Sequence, residues 1–179
     1  MEVDYGKQMG KAIRAVLEMH ADCIRLFHDM DKALDDYESL LANVVALNQG
    51  TTIGRREFIA EALIRLYVRR GSEDRVLGVN ICFYDQNDKK FLEPIVVVAN
   101  VRYLPGPSDP QDKLKKGWDP WYAFLEWIDS DQRTYGEAIT IEKPSRRPNI
   151  EQVTVAAAPL YTITSLKAAM QLVDLVGRP

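Results

Sequence analysis

From Met9 to Val44 one residue recurs on a single helical stripe at alternating steps of four and three: Met9, Ile13, Val16, His20, Cys23, Phe27, Met30, Leu34, Tyr37, Leu41 and Val44. No Gly or Pro interrupts residues 11–49. Eleven positions in heptad register over an unbroken stretch predict a long helix, or two stacked pieces of one. Leu17, Ile24, Leu26 and Leu40 widen the stripe beyond a two-stranded seam, so it faces more than one neighbour.

A continuous helix over Met9–Asn48 would be about 60 Å long at 1.5 Å per residue. A compact chain of this size has a radius of gyration of only about 16 Å. Such a helix must project, pair with a copy of itself, or break, with Asp29 or Asp31 capping a second piece. Pairing as a two-fold homodimer is the expectation. His20, Cys23 and His28 lie on this segment, but His28 sits roughly 80° around the helix from His20 and no carboxylate completes a ligand set. They are expected to be packing residues, and no metal or cofactor is implied.

The rest of the chain changes period. Thr51 or Thr52 is positioned to cap a second helix, with Phe58, Ala62 and Leu66 on its face and Gly71 as its stop. Gly50 and Gly54 do not form a phosphate loop, because no Gly-Lys-Ser/Thr follows. Leu77, Val79, Ile81 and Phe83 alternate as a strand does, and so do Ile95, Val97, Ala99 and Val101, with Asp85–Lys90 as the hairpin loop. Asp119 and Pro120 read as the cap and first turn of another helix. Residues 134–142 and 151–161 form a second strand pair, with Ile139, Ile141, Val153, Val155 and Ala157 inward. Thr164 or Ser165 then caps a last helix carrying Leu166, Met170, Val173 and Val176.

The expected class is α+β: a long N-terminal helix and a second helix, then two β-hairpins of about four mainly antiparallel strands, separated by a helix and closed by a C-terminal helix. Residues 1–49 would be the self-associating helix and 50–179 the α+β domain, together one structural unit.

All three tryptophans, Trp118, Trp121 and Trp127, fall within ten positions behind Lys113, Lys115 and Lys116. Trp121 shares a helical face with Phe124, Leu125 and Ile128 and is expected in the core. Trp118, Tyr122 and Trp127 flank that face and are free to meet a ligand. Residues 105–117 hold three prolines and no apolar period, and loops of that length are usually functional or disordered. Following chain direction, this loop, the 143–149 turn and the start of the 75–84 strand share one end of the sheet. That end gathers Arg69, Arg70, Arg75, Lys113, Lys115, Lys116, Lys143, Arg146 and Arg147 against Glu73, Asp74, Asp109, Asp112, Asp119 and Glu142. Arginine forks suit phosphate or carboxylate, and exposed Trp suits a stacked ring. Lys113, Lys115, Lys116, Trp118, Tyr122, Trp127, Arg146 and Arg147 are therefore the candidate ligand-binding residues, for an anionic nucleotide-like molecule or an acidic protein segment.

Charge limits the alternatives. Residues 1–50 carry five Lys/Arg against nine Asp/Glu, while the remainder is almost neutral, giving a net charge of −3 overall. Coating of DNA needs a strong positive field, so DNA is not an expected partner. No apolar run approaches the roughly 20 residues of a membrane span, no secretion signal opens the chain, and two cysteines make no disulfide framework; the cytoplasm is the expected location. No Gly-x-Ser-x-Gly or His-Glu-x-x-His occurs. The expectation is a non-catalytic binding or regulatory module. The enzyme alternative is a Mg²⁺-dependent phosphoesterase using Asp109, Asp112, Asp119 and Glu142; a structural subunit of a larger complex is the third reading.

Overall fold

The computed structural model describes residues 4–40, 62–72, 74–83, 93–104, 134–144 and 148–178, and the backbone of 46–48. The elements are α1 (Tyr5–Ala33), β1 (Tyr37–Ser39), β2 (Ala46–Asn48), β3 (Ala62–Arg69), β4 (Arg75–Cys82), β5 (Ile95–Tyr103), β6 (Ala138–Glu142), β7 (Ile150–Pro159), a 3₁₀ turn (Leu160–Thr162) and α2 (Leu166–Leu175). The architecture is α+β. Among the described residues, seven strand segments form one antiparallel sheet in the order β1-β3-β4-β5-β7-β6, with β2 sharing the β1 edge of β3. Both described helices pack on the same face.

α1 begins where the Asp4 side chain accepts a hydrogen bond from the Lys7 backbone N–H at 3.0 Å, a standard N-cap. It ends at Ala33, well short of Asn48. The stripe reading failed beyond Leu34 because residues three apart share a face in a helix but take opposite faces in an extended chain, and both faces of this sheet are buried: Tyr37 packs on the helix side and Leu40 on the other. The chain takes the second option, pairing Tyr37 with Arg69 on β3.

Residues 62–69 are strand β3 and not the end of a helix stopped by Gly71, as the sequence had suggested. Ala62 to Tyr67 are six consecutive buried residues. A strand inside a two-layered core buries both faces and so loses the period of two, and a short apolar run of this kind cannot be told from a helix by pattern. Gly71, at φ +82°, instead makes the tight turn into β4.

The strands at 75–82, 95–103, 138–142 and 150–159 agree with the alternation read from sequence, as does α2, whose Ser165 side chain accepts from the Ala168 N–H at 3.3 Å. Leu63, Tyr67, Leu77, Val79, Ile81, Val96 and Val98 meet Cys23, Phe27, Met30 and Leu34 of α1 and Ala169, Leu172 and Val173 of α2. The opposite face is equally buried and consists of Ala62, Ile64, Leu66, Val76, Ile95, Val97, Ala99, Val101, Val153, Val155 and Ala157, among others. The expected helix from Pro120, the loops at 85–90 and 105–117, and Thr51, Thr52 and Phe58 lie outside the described residues.

Candidate functional site

The end of the sheet where β5 finishes and β7 begins is the end assigned to the ligand. Leu104 N–H donates to the Asn149 carbonyl at 2.9 Å, and Lys143 N–H donates to the Glu151 carbonyl at 2.8 Å. Leu104, which precedes residues 105–117, and Asn149, in the 143–149 turn, are thus hydrogen-bonded neighbours. Arg75 lies opposite Arg102 in the β4–β5 register, at the same end. Lys143 sits at φ 48°, a conformation that costs a non-glycine residue of order 1 kcal/mol or more.

Of the basic residues expected there, Arg69, Arg70, Arg75 and Lys143 are described. Lys113, Lys115, Lys116, Trp118, Tyr122, Trp127, Arg146 and Arg147 lie outside the described residues, as do Asp109, Asp112 and Asp119. The described arginines have acidic company: Arg70 pairs with Glu38 at 3.2 Å, Arg75 with Asp74 at 3.9 Å, and Arg102 with Glu151 at 2.9 Å. These exposed pairs contribute little to stability, but they offset the positive field that an anion would meet. Glu142 accepts from the Gln152 amide, and among the described residues no cluster of His, Cys, Asp and Glu is arranged to hold a metal ion.

The opposite end of the sheet carries a different feature. His20 stacks on Phe83, just past the end of β4, with ring centroids 5.1 Å apart. At 100° per residue, Tyr5, Met9, Val16, Cys23, Phe27 and Met30 fall within about 60° of one another, with Ile13 about 40° and Leu17 about 80° past one edge of that arc. Cys23, Phe27 and Met30 are buried, whereas Tyr5, Met9, Ile13 and Leu17 are 76%, 66%, 55% and 64% exposed. One apolar face is therefore covered by the sheet along its second half and by nothing described along its first.

Beside it runs an open groove of about 450 Å³ between α1 and the 3₁₀ turn. Its walls are Ala15, Met19, Cys23 and Leu26 on one side and Leu160, Tyr161 and Ile163 on the other, with Glu18 and Asp22 also on its lining. The first half of α1 carries Lys7, Lys11 and Arg14 and no acid between Tyr5 and Val16, so its charge is opposite to that of the groove's two carboxylates.

Inside the fold, the polar groups are mostly structural. Arg65 on β3 makes a two-pronged contact with Asp31 of α1, at 3.1 and 2.7 Å, with the arginine side chain 5% exposed. The Arg65 guanidinium also lies 6.0 Å from the Tyr67 ring centre. Burial, and next the charge of Asp31, raises the ionisation of the Tyr67 hydroxyl above the ordinary phenol range. Asn100 on β5 donates to the Val176 and Gly177 carbonyls at 3.3 and 2.7 Å, capping the end of α2. Burial, with a smaller push from Asp22, raises the Cys23 thiol to about 11. A thiol held neutral at physiological pH is not a nucleophile. His28 is exposed, so the three residues His20, Cys23 and His28 do not converge.

Sequence reasoning missed the Arg65–Asp31 pair and the Asn100 cap, because their partners are 34 and 76 positions away. The chain matches no protein-family model, no curated protein and no solved structure at a significant level. No helix among the described residues is long and apolar enough to cross a membrane.

Proposed function

We propose that the protein is a non-catalytic binding module that self-associates through the first half of α1. The observation that carries this reading is the exposed continuation, at Tyr5, Met9 and Ile13, with exposed Leu17 beside them, of the helical face that is core from Cys23 onward. Met9, Ile13 and Leu17 would each contribute about 1.5–3 kcal/mol if buried from full exposure. They are already partly covered, and a two-fold pair counts them twice, so the gain is roughly 6–12 kcal/mol per dimer. Association costs an estimated 4–15 kcal/mol. Contact through the stripe alone is therefore a weak dimer, and the neighbouring groove, with Glu18 and Asp22 on its lining, supplies further apolar area and opposite charge for Lys7, Lys11 and Arg14.

Sedimentation velocity over the micromolar range tests the reading. Wild type is expected to pass from monomer to dimer with concentration, and a Met9→Glu/Ile13→Glu variant is expected to remain monomeric with unchanged thermal stability. A wild type that stays monomeric throughout the range contradicts it.

A second reading, binding of an anionic ligand or acidic segment at the basic end, is favoured by the Leu104–Asn149 hydrogen bond, which brings together described residues next to the lysine-bearing stretch 105–117 and the arginine-bearing stretch 143–149. Thermal shift against a nucleotide panel, repeated with Arg146→Glu/Arg147→Glu, is the test. The wild type should respond and the variant should not; a silent wild type ends this reading.

A further inference from the structure

Every residue from Asp4 to Ala15 is exposed, on all sides of α1. The exposed apolar residues Tyr5, Met9, Ile13 and Leu17 are four apart, and such a row forms a ridge along a helix. At 100° per residue Phe27 falls at the same angle as Met9, and Cys23 about 40° from it. Cys23 and Phe27 pack with Leu63 and Tyr67 of β3 and with Leu77, Val79 and Ile81 of β4. The sheet therefore occupies the ridge's side of the helix from Cys23 onward.

This placement decides what can cover the ridge. A flat surface, whether a bilayer or a broad protein face, laid on Met9 and Ile13 would run into β3 and β4. A single helix is narrow enough, since packed helix axes are about 8–10 Å apart, provided that it ends before the sheet begins. The ridge is also its own complement: reversed end for end about Lys11, Tyr5 takes the place of Leu17 and Met9 that of Ile13. A two-fold interface requires that kind of self-matching surface. Lys7, Lys11 and Arg14 lie roughly 140–200° round the helix from Met9, so two copies meeting through the ridge keep their cations apart.

We infer that two copies pair antiparallel: residues 5–17 of one lie against residues 5–17 of the other, reversed, with the two-fold axis level with Lys11. The inference rests on the self-association proposed above and adds its direction and extent. Met9 meets the partner's Ile13, and Tyr5 comes level with the partner's Leu17, short of the residues that carry the sheet. A parallel pair is blocked, because its second helix would continue to Ala33 through the space that β3 and β4 fill. The overlap is about 18 Å long at 1.5 Å per residue, a short helical clasp with the two sheets at opposite ends.

The test is the distance between spin labels on full-length Arg25→Cys, measured by pulsed electron resonance at concentrations where sedimentation shows the dimer. Arg25 is exposed and lies 14 residues beyond Lys11. The native thiols Cys23 and Cys82 are buried, and the unsubstituted chain treated with the same reagent is the control. Antiparallel pairing predicts about 40 Å between the labels, whereas a parallel pair holds them within about 20 Å. A second readout needs no label: a mixture of Met9→Cys and Ile13→Cys chains should form the mixed disulfide faster than either chain crosslinks to itself, because like positions are offset by about 6 Å along the axis. A label distance near 20 Å, or self-crosslinking as fast as the mixed reaction, overturns the antiparallel arrangement and leaves self-association standing. A chain that stays monomeric at every concentration overturns both.

Discussion

The two halves of α1 have the same apolar periodicity and opposite surroundings. Residues 20–33 lay Cys23, Phe27 and Met30 on β3 and β4, stack His20 on Phe83 and tie Asp31 to Arg65. Residues 5–17 present Tyr5, Met9, Ile13 and Leu17 with no described element over them. Periodicity alone states that a face will be covered; the fold decides how much of it the same chain covers. What remains after that is the helix's capacity for a partner.

That contrast can be broken most sharply in the buried half. Phe27→Ala should destabilise the protein by about 3–5 kcal/mol and Met30→Ala by about 2–5 kcal/mol, measured by urea unfolding. Ile13→Ala, on the same stripe, should change the stability of the monomer by no more than about 0.5 kcal/mol. Equal losses at Phe27 and Ile13 would mean that the first half is core as well.

The next largest effect is expected at the pair that fixes α1 to the sheet. Removing one member of a fully buried ion pair costs about 3–5 kcal/mol, and Asp31 retains 29% exposure, so Arg65→Met should cost about 2–3 kcal/mol. The double variant Arg65→Met/Asp31→Leu should recover most of that loss in a double-mutant cycle. Asn100→Ala should cost about 1–2 kcal/mol by leaving the Val176 and Gly177 carbonyls without their donor, with faster hydrogen exchange confined to the end of α2.

The smallest effect is alkaline. The Cys23 thiol ionises at about 11 in the fold against 9.0 for an unperturbed thiol. The unfolded chain therefore loses its proton first, and the stability contributed by the neutral thiol is complete below pH 9 and declines toward pH 11, by about 1 kcal/mol at pH 10. The difference in urea midpoint between pH 8 and pH 10 should shrink in Cys23→Ala.

Much of the sheet was legible beforehand because β4, β5, β6 and β7 alternate or lie between clear turns, and Ser165 announces α2. Two misreadings have physical causes. From Leu34 to Leu40 the sheet buries both of its faces, so Tyr37 on the helix side and Leu40 on the other still mimic a helical step of three, and the end of α1 left no mark in the apolar pattern. At Ala62 to Tyr67 burial on both faces erased the alternation that would have identified β3. The candidate site was less legible. Chain direction brought Leu104 and Asn149, beside 105–117 and in the 143–149 turn, together, but the carboxylates that face Arg70 and Arg102, Glu38 and Glu151, come from distant positions. Asn80 resembles any polar residue in "LGVNICF" until the sheet shows which face it lies on and that no described residue answers it.

Hydrogen exchange along α1 at low and high protein concentration tests the central claim most directly. Amides of residues 20–33 should be protected at both concentrations, and those of residues 5–17 should exchange rapidly when dilute and become protected when concentrated. Rapid exchange across residues 5–17 at every concentration would contradict the assignment of that half to a second copy.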